Sequence, residues 1–394
     1  MKAVLVFIGS RKERMSFYFI VVVWGDAYVD MLLQVALRCY LSPRNIPGLH
    51  NLSTSKFIFV STQEDYAKIS ASKIHKKLAQ YLEPIFIEMD ATEDNNCYAK
   101  ATLGFEKATR LACQNQAYAI YLLPDGLVSD GTFCRLEYYA EQGRDVVLLP
   151  GPRVIKEKAL SYINALNLED DAALSFEPRK LAALGLEILH PEFKHYNYTA
   201  QAFTKWPHMV TWNIPGQVGL LVRAFHLHPL MVNCANALDF NKDDTIDGHF
   251  IKRNFLDLNK FLLETDSDHM ILYSMTEENE RDPSGLVWSR TDKLKAILAM
   301  AQQHPMINEL HKIYFYNAYK LHADELGKEW AEQERESFKM VTLALQSKPK
   351  KVSLYLRLRK RVLDTLPSIV RSKLRQNYWK LQERISWFKS KLFA

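Results

Sequence analysis

Paired cysteines, long apolar runs and the usual phosphate-binding loops are all missing from this chain. Its five cysteines (39, 97, 113, 134 and 234) are scattered, odd in number and form no CxxC, which fits reduced thiols in a cytosolic protein and argues against a disulfide framework. No run of about 18 apolar residues occurs, so no transmembrane helix is expected. The longest strand-like run, 17–24, is far too short to span a bilayer. Neither GxGxxG nor GxxxxGK followed by Ser or Thr is present, which weighs against a dehydrogenase or a P-loop NTPase. GxSxG and HExxH are absent too, so an α/β sheet here must hold its ligand by other means. Residues 1–8 resemble the start of a signal peptide, but Arg11 and Arg14 follow without a small-residue cleavage site, so 1–15 reads as an extra strand or a leader.

What is present is a body large enough for a substantial core, 394 residues at 48% hydrophobic content, and a charge that is unevenly spread. From 348 to 394, 14 Lys and Arg face only Asp364 and Glu383, a net +12; within a total of +6 the remainder carries −6. Unbroken β-branched and aromatic runs at 16–24, 56–60, 84–88, 118–123 and 146–149 read as buried parallel strands. Helical patterns lie between them at 27–41, 64–82 and 97–113, with another starting near Thr132, capped by Ser129 or Asp130 and closed by Gly143. Strand–helix alternation of this kind predicts a Rossmann-like α/β sheet. Further on, 156–190 reads as helical, 209–214 and 219–225 as strands around Pro215-Gly216, and 260–264 as a strand. Residues 292–304 and 306–326 read as helices.

Ligands of open α/β sheets sit beyond the carboxyl ends of the strands. Asp125 and Arg153 both fall there, although Pro-Asp-Gly is also a common surface turn. Trp24, Gly25, Asp26 and Tyr28 end the first strand, where they can meet a base and ribose or serve only as core and helix cap. His226 and His228 flank Leu227, and an extended segment would turn both rings to one face. Metal ligation and diphosphate hydrogen bonding are both open to them. Asp247, in TIDGHF, is a candidate general base. Asp266-Ser267-Asp268 is the one literal DxD, and its late position favours a turn cluster or a supporting role.

FYFIVVVWGDAYVD, YLLPDGLVSDG, VVLLPGPRV and FHLHPL together resemble a GT-A-fold nucleotide-sugar glycosyltransferase of the bacterial surface-polysaccharide type, over roughly residues 16–275. The resemblance implies a mostly parallel sheet flanked by helices, and transfer of a sugar to a lipid-linked or polysaccharide hydroxyl. It implies donor contacts from Trp24, Gly25, Asp26, Asp90, Asp125, Asp130 and Arg153, with Asp247 and His226 catalytic. A divalent Mg or Mn would lie on Asp125 and His228. The Asp-x-Asp position reads Leu123-Pro124-Asp125 and keeps only its second carboxylate, which leaves metal dependence open.

Beyond this domain, 276–346 reads as a helical region and 347–394 as a basic amphipathic tail. Val370, Leu374, Tyr378, Leu381, Ile385, Phe388 and Leu392 fall on one helical arc with Lys and Arg on both borders, a pattern suited to the anionic inner face of a membrane. A cytoplasmic, peripherally associated protein follows. The rival readings are a non-catalytic nucleotide-sugar-binding or assembly protein and a nucleic-acid binder using the tail. No recognised motif supports the last, and no nucleic acid is expected.

Overall fold

Seven strands build the central sheet: β1 (Phe17–Val22), β2 (Lys56–Ser61), β3 (Glu83–Glu88), β4 (Tyr118–Leu122), β5 (Val146–Leu149), β6 (His228–Asn233) and β7 (Phe261–Leu263). Their order is β3-β2-β1-β4-β6-β5-β7, and β6 alone runs against its neighbours. The computed structural model describes residues 15–89, 97–241, 244–280 and 285–346. Asp90, the leader at 1–14 and the basic tail from 347 lie outside these. Met1–Leu345 groups as one unit and Gln346–Ala394 as another.

The unbroken apolar runs exist because both sheet faces are covered. Phe17, Phe19 and Val21 of β1 join Phe57, Phe59 and the helical segments Leu32–Ala36 and Thr132–Glu141 in one layer. Tyr18, Ile20 and Val22 join Ile58, Val60, Phe105 and Ala108 in the other. Each buried Phe contributes about 2 kcal/mol relative to exposure. Gly104 lets the helix Cys97–Gln114 lie close on the sheet, since a Cβ there would stand 2.7 Å from Val22 Cγ1. At the edge, β3 is only half-buried and tolerates Pro84. The chain is therefore α/β, with a mostly parallel, Rossmann-like sheet flanked by helices.

A second sheet places Gly219–Ala224 antiparallel between Met209–Asn213 and Tyr319–His322. Its core, with Phe225, Ile297, Met300, Phe315 and Trp330, is packed by the helices Arg290–Gln303, Glu309–Tyr316 and Lys328–Gln346. The helix expected over 306–326 is thus corrected. It stops at Tyr316, and Tyr319–His322 becomes a strand because Gly219–Val222 offers it a hydrogen-bonding edge. The helix expected over 64–82 breaks at Ser72, whose hydroxyl caps the next turn by accepting from His75 N–H.

A third, three-stranded sheet sits at the carboxyl end of β4, with Leu272–Thr276 between Gly126–Val128 and Arg153–Ile155. Ser274 is register partner to both Gly126 and Arg153. That pairing assembles the first part of the site.

Candidate active site

Asp125 leaves β4 half-buried, and its Oδ2 accepts from the Ser274 hydroxyl at 2.5 Å. Its backbone carbonyl accepts from Met275 N–H at 3.0 Å, which locks the turn to the small sheet. Burial pushes the Asp125 carboxyl above its ordinary value, while the Ser274 hydrogen bond and the Arg153 charge pull it back. Tyr28, exposed in the first helix after β1, has its hydroxyl raised by burial and then by the charge of Asp125, with Arg153 opposing. Asp125, Arg153 and Tyr28 therefore share one electrostatic neighbourhood. Arg153 also lies 3.3 Å from Glu192 Oε1, which holds its guanidinium in place.

The other donor candidates divide. Gly25 has φ of 80°, and its N–H donates to Asp65 Oδ2 at 2.9 Å, which fixes the turn after β1. Trp24 packs half-buried against the sheet, and Asp26 is exposed and paired with Lys68. Asp130 is turned inward: its Oδ1 accepts from the Ser42 hydroxyl and from Arg44 N–H, both at 2.8 Å. It does not cap the following helix, whose N-cap is Gly131.

On the other side of β4, His228 donates from Nε2 to the Tyr121 carbonyl at 2.8 Å. Burial lowers its pKa, and the Asp247 charge counters that. The His226 ring turns to a different company, with ring centroids 4.9 Å from His311, 5.7 Å from His208 and 6.3 Å from His304. Its Nδ1 is buried without a hydrogen-bond partner. His311 accepts at Nδ1 from Asn308 N–H and donates from Nε2 to the Asp247 carbonyl, each at 3.0 Å. It is a neutral ring, pushed down to about 4 by burial first and by His226 second. Asp247 accepts from the Thr245 hydroxyl. His226 and His228 are thus linked through His311 and Asp247, although the two FHLHPL rings have separate partners.

A divalent ion on Asp125 and His228 finds little support in their contacts. Asp125 and His228 share no contact: the positive group beside Asp125 is Arg153, and His228 hydrogen-bonds Tyr121 through Nε2. Among the described residues, the His and carboxylate side chains grouped closely enough to share an ion are Asp266, Asp268 and His322. Asp65, Ser274, His311 and His322 carried no sequence signal beyond Thr62 and Asp65 at N-cap spacing.

No protein-family model matches the chain, and no curated protein matches it. Among solved structures, one chain similar to it is described as a glucose-1-phosphate thymidylyltransferase from Bacillus anthracis, in complex with sucrose. The two share 10% identity and a TM-score of 0.25, over 36% of this chain and 57% of the other. No helix of the described residues is long and apolar enough to cross a membrane.

Proposed function

We propose that this protein is a GT-A-like glycosyltransferase that moves a sugar from a nucleotide donor to an acceptor hydroxyl. The observation that carries the reading is the carboxyl end of β4, where Asp125, Arg153 and Tyr28 share one electrostatic neighbourhood and His228 hydrogen-bonds the β4 carbonyl of Tyr121. In this reading the turn at Trp24 and Gly25 receives the nucleoside, and Asp125 accepts from sugar or ribose hydroxyls. Arg153 faces the diphosphate, where a fixed cation stabilises charge developing on the leaving group. The acceptor enters from the histidine side. Asp247 and His226 supply the general base that takes its hydroxyl proton.

The test is transfer or donor hydrolysis by the full chain across a panel of nucleotide sugars. Asp247→Asn and His226→Gln should each lower transfer by about 10²–10⁴-fold, the usual contribution of a positioned base, with donor affinity kept. Unchanged rates in folded variants would remove both residues from the chemistry.

The basic tail is assigned to an anionic membrane surface, where each Lys or Arg is worth about 1 kcal/mol. Deleting 348–394 takes away its net +12 and leaves an acidic body. Vesicle cosedimentation should be lost while soluble-donor hydrolysis survives. A truncated protein that still pellets with anionic vesicles contradicts the assignment.

A further inference from the structure

The late DxD motif meets a histidine that sequence spacing could not supply. Ser267 N–H donates to the Lys320 carbonyl at 2.9 Å, and Lys320 N–H donates to the Thr265 carbonyl at 2.8 Å. This bridge brings residues 265–268 alongside Tyr319–His322 and delivers His322, 1% exposed, to Asp266 and Asp268. The adjacent His269 turns away, to Glu264 at 3.0 Å.

The hydrogen bonds of His322 fix its tautomer. Nδ1 lies 2.6 Å from the Asp324 carbonyl, which can only accept, so Nδ1 carries a proton. In the neutral ring the lone pair is then on Nε2. That nitrogen lies 2.8 Å from Asp266 Oδ1 and 3.9 Å from Asp268 Oδ1, both acceptors as well. Three lone pairs converge where the buried His322 meets the partly exposed carboxylates of Asp266 and Asp268, and a cation reconciles them. Without a metal, that cation is a proton on Nε2.

We propose that a divalent transition-metal ion binds here, held by His322 Nε2 and the carboxylates of Asp266 and Asp268. The three ligand atoms lie within 4.8 Å of one another. Ligands about 2.1 Å from a metal stand about 3.0 Å apart at right angles and about 4.2 Å apart when opposed; the 3.9 Å contact falls in that range, and the 2.8 Å contact would open slightly around an ion. An imidazole with two carboxylates suits Mn²⁺ or Zn²⁺ better than Mg²⁺ or Ca²⁺. A donor ring N–H resting on a backbone carbonyl is the orienting contact expected of a ligating histidine. Arg179, from the helix Pro178–Glu187, holds Asp268 through two hydrogen bonds of 2.9 and 2.7 Å. The ion would clamp the loop after β7 to the second sheet and to that helix, and none of its ligands belongs to the groups around β4.

Mn²⁺ binding to the chelator-stripped full chain, followed by electron paramagnetic resonance at pH 8, tests this apart from any transferase activity. One Mn²⁺ should bind at pH 8, and Zn²⁺ should displace it. Asp266→Asn and His322→Gln should weaken binding more than tenfold. Asp268→Asn, at a more exposed position, should do the same if the buried variants fail to fold. Asp125→Asn should bind as wild type. Absence of binding at pH 8, binding indifferent to these three substitutions, or loss in Asp125→Asn alone would overturn the proposal.

Discussion

Arg153→Ala should lower nucleotide-sugar turnover by about 10²–10³-fold, the scale of removing one fixed group that stabilises developing charge. Asp125→Asn should fall with it, yet melt no lower than wild type. Burial raises the Asp125 carboxyl above its unfolded value. Between those two values the folded protein binds more protons than the unfolded chain, so stability declines as pH rises, and ionised Asp125 is a net cost at neutral pH. Asn keeps an oxygen for the Ser274 hydroxyl and removes the buried charge. Lower turnover without lower stability separates a ligand contact from a structural turn. Parallel losses of activity and melting temperature would indicate that Asp125 only holds the turn.

Acid should loosen the histidine group before the carboxylates protonate. The His311 pKa is pushed down to about 4, against about 6.5 in an unfolded chain. The unfolded state therefore binds the extra proton in that interval. Stability present above about 6.5 is lost as pH falls toward 4, by about 3 kcal/mol from this ring alone. His228, His304 and His75 are lowered by burial and act in the same direction. Burial works to lower His322, but its hydrogen bonds to Asp266 and the Asp324 carbonyl and the charges of Asp266 and Asp268 together outweigh that and raise it. Its contribution is therefore present below 6.5 and opposes theirs. Urea midpoints measured from pH 7.5 to 4.5 should fall steeply in wild type and less steeply in His311→Gln. Identical slopes would show that His311 is not buried neutral.

The parallel strands were legible because burial on both faces writes an unbroken apolar run, as in FYFIVV of β1 and VVLL of β5. The reversed strand β6 was not. Its Pro229, close after His226-Leu227-His228, reads as a turn, and the sheet accommodates it with a register shift between Pro229 and Met231. Tyr319–His322 was hidden because four residues carry no period of their own, and their partner strand lies a hundred residues earlier. The site was legible to the extent that it hangs on strand ends, as Asp125 and Arg153 do. Ser274 reaches Asp125, and His322 reaches Asp266 and Asp268, through pairings between distant segments, which local pattern does not encode. Asp130 shows the converse: a carboxylate at a strand–helix junction attracted a ligand role, while Ser42 and Arg44 already occupy its oxygens.

Hydrogen exchange of the full chain, with and without a saturating nucleotide sugar, tests the site most directly. Protection should appear together at the turn after β1 (24–28), at the end of β4 (123–126) and at 153–155, three segments far apart in sequence. Protection confined to other segments, or none with any nucleotide sugar, would contradict a donor site at the carboxyl edge of this sheet.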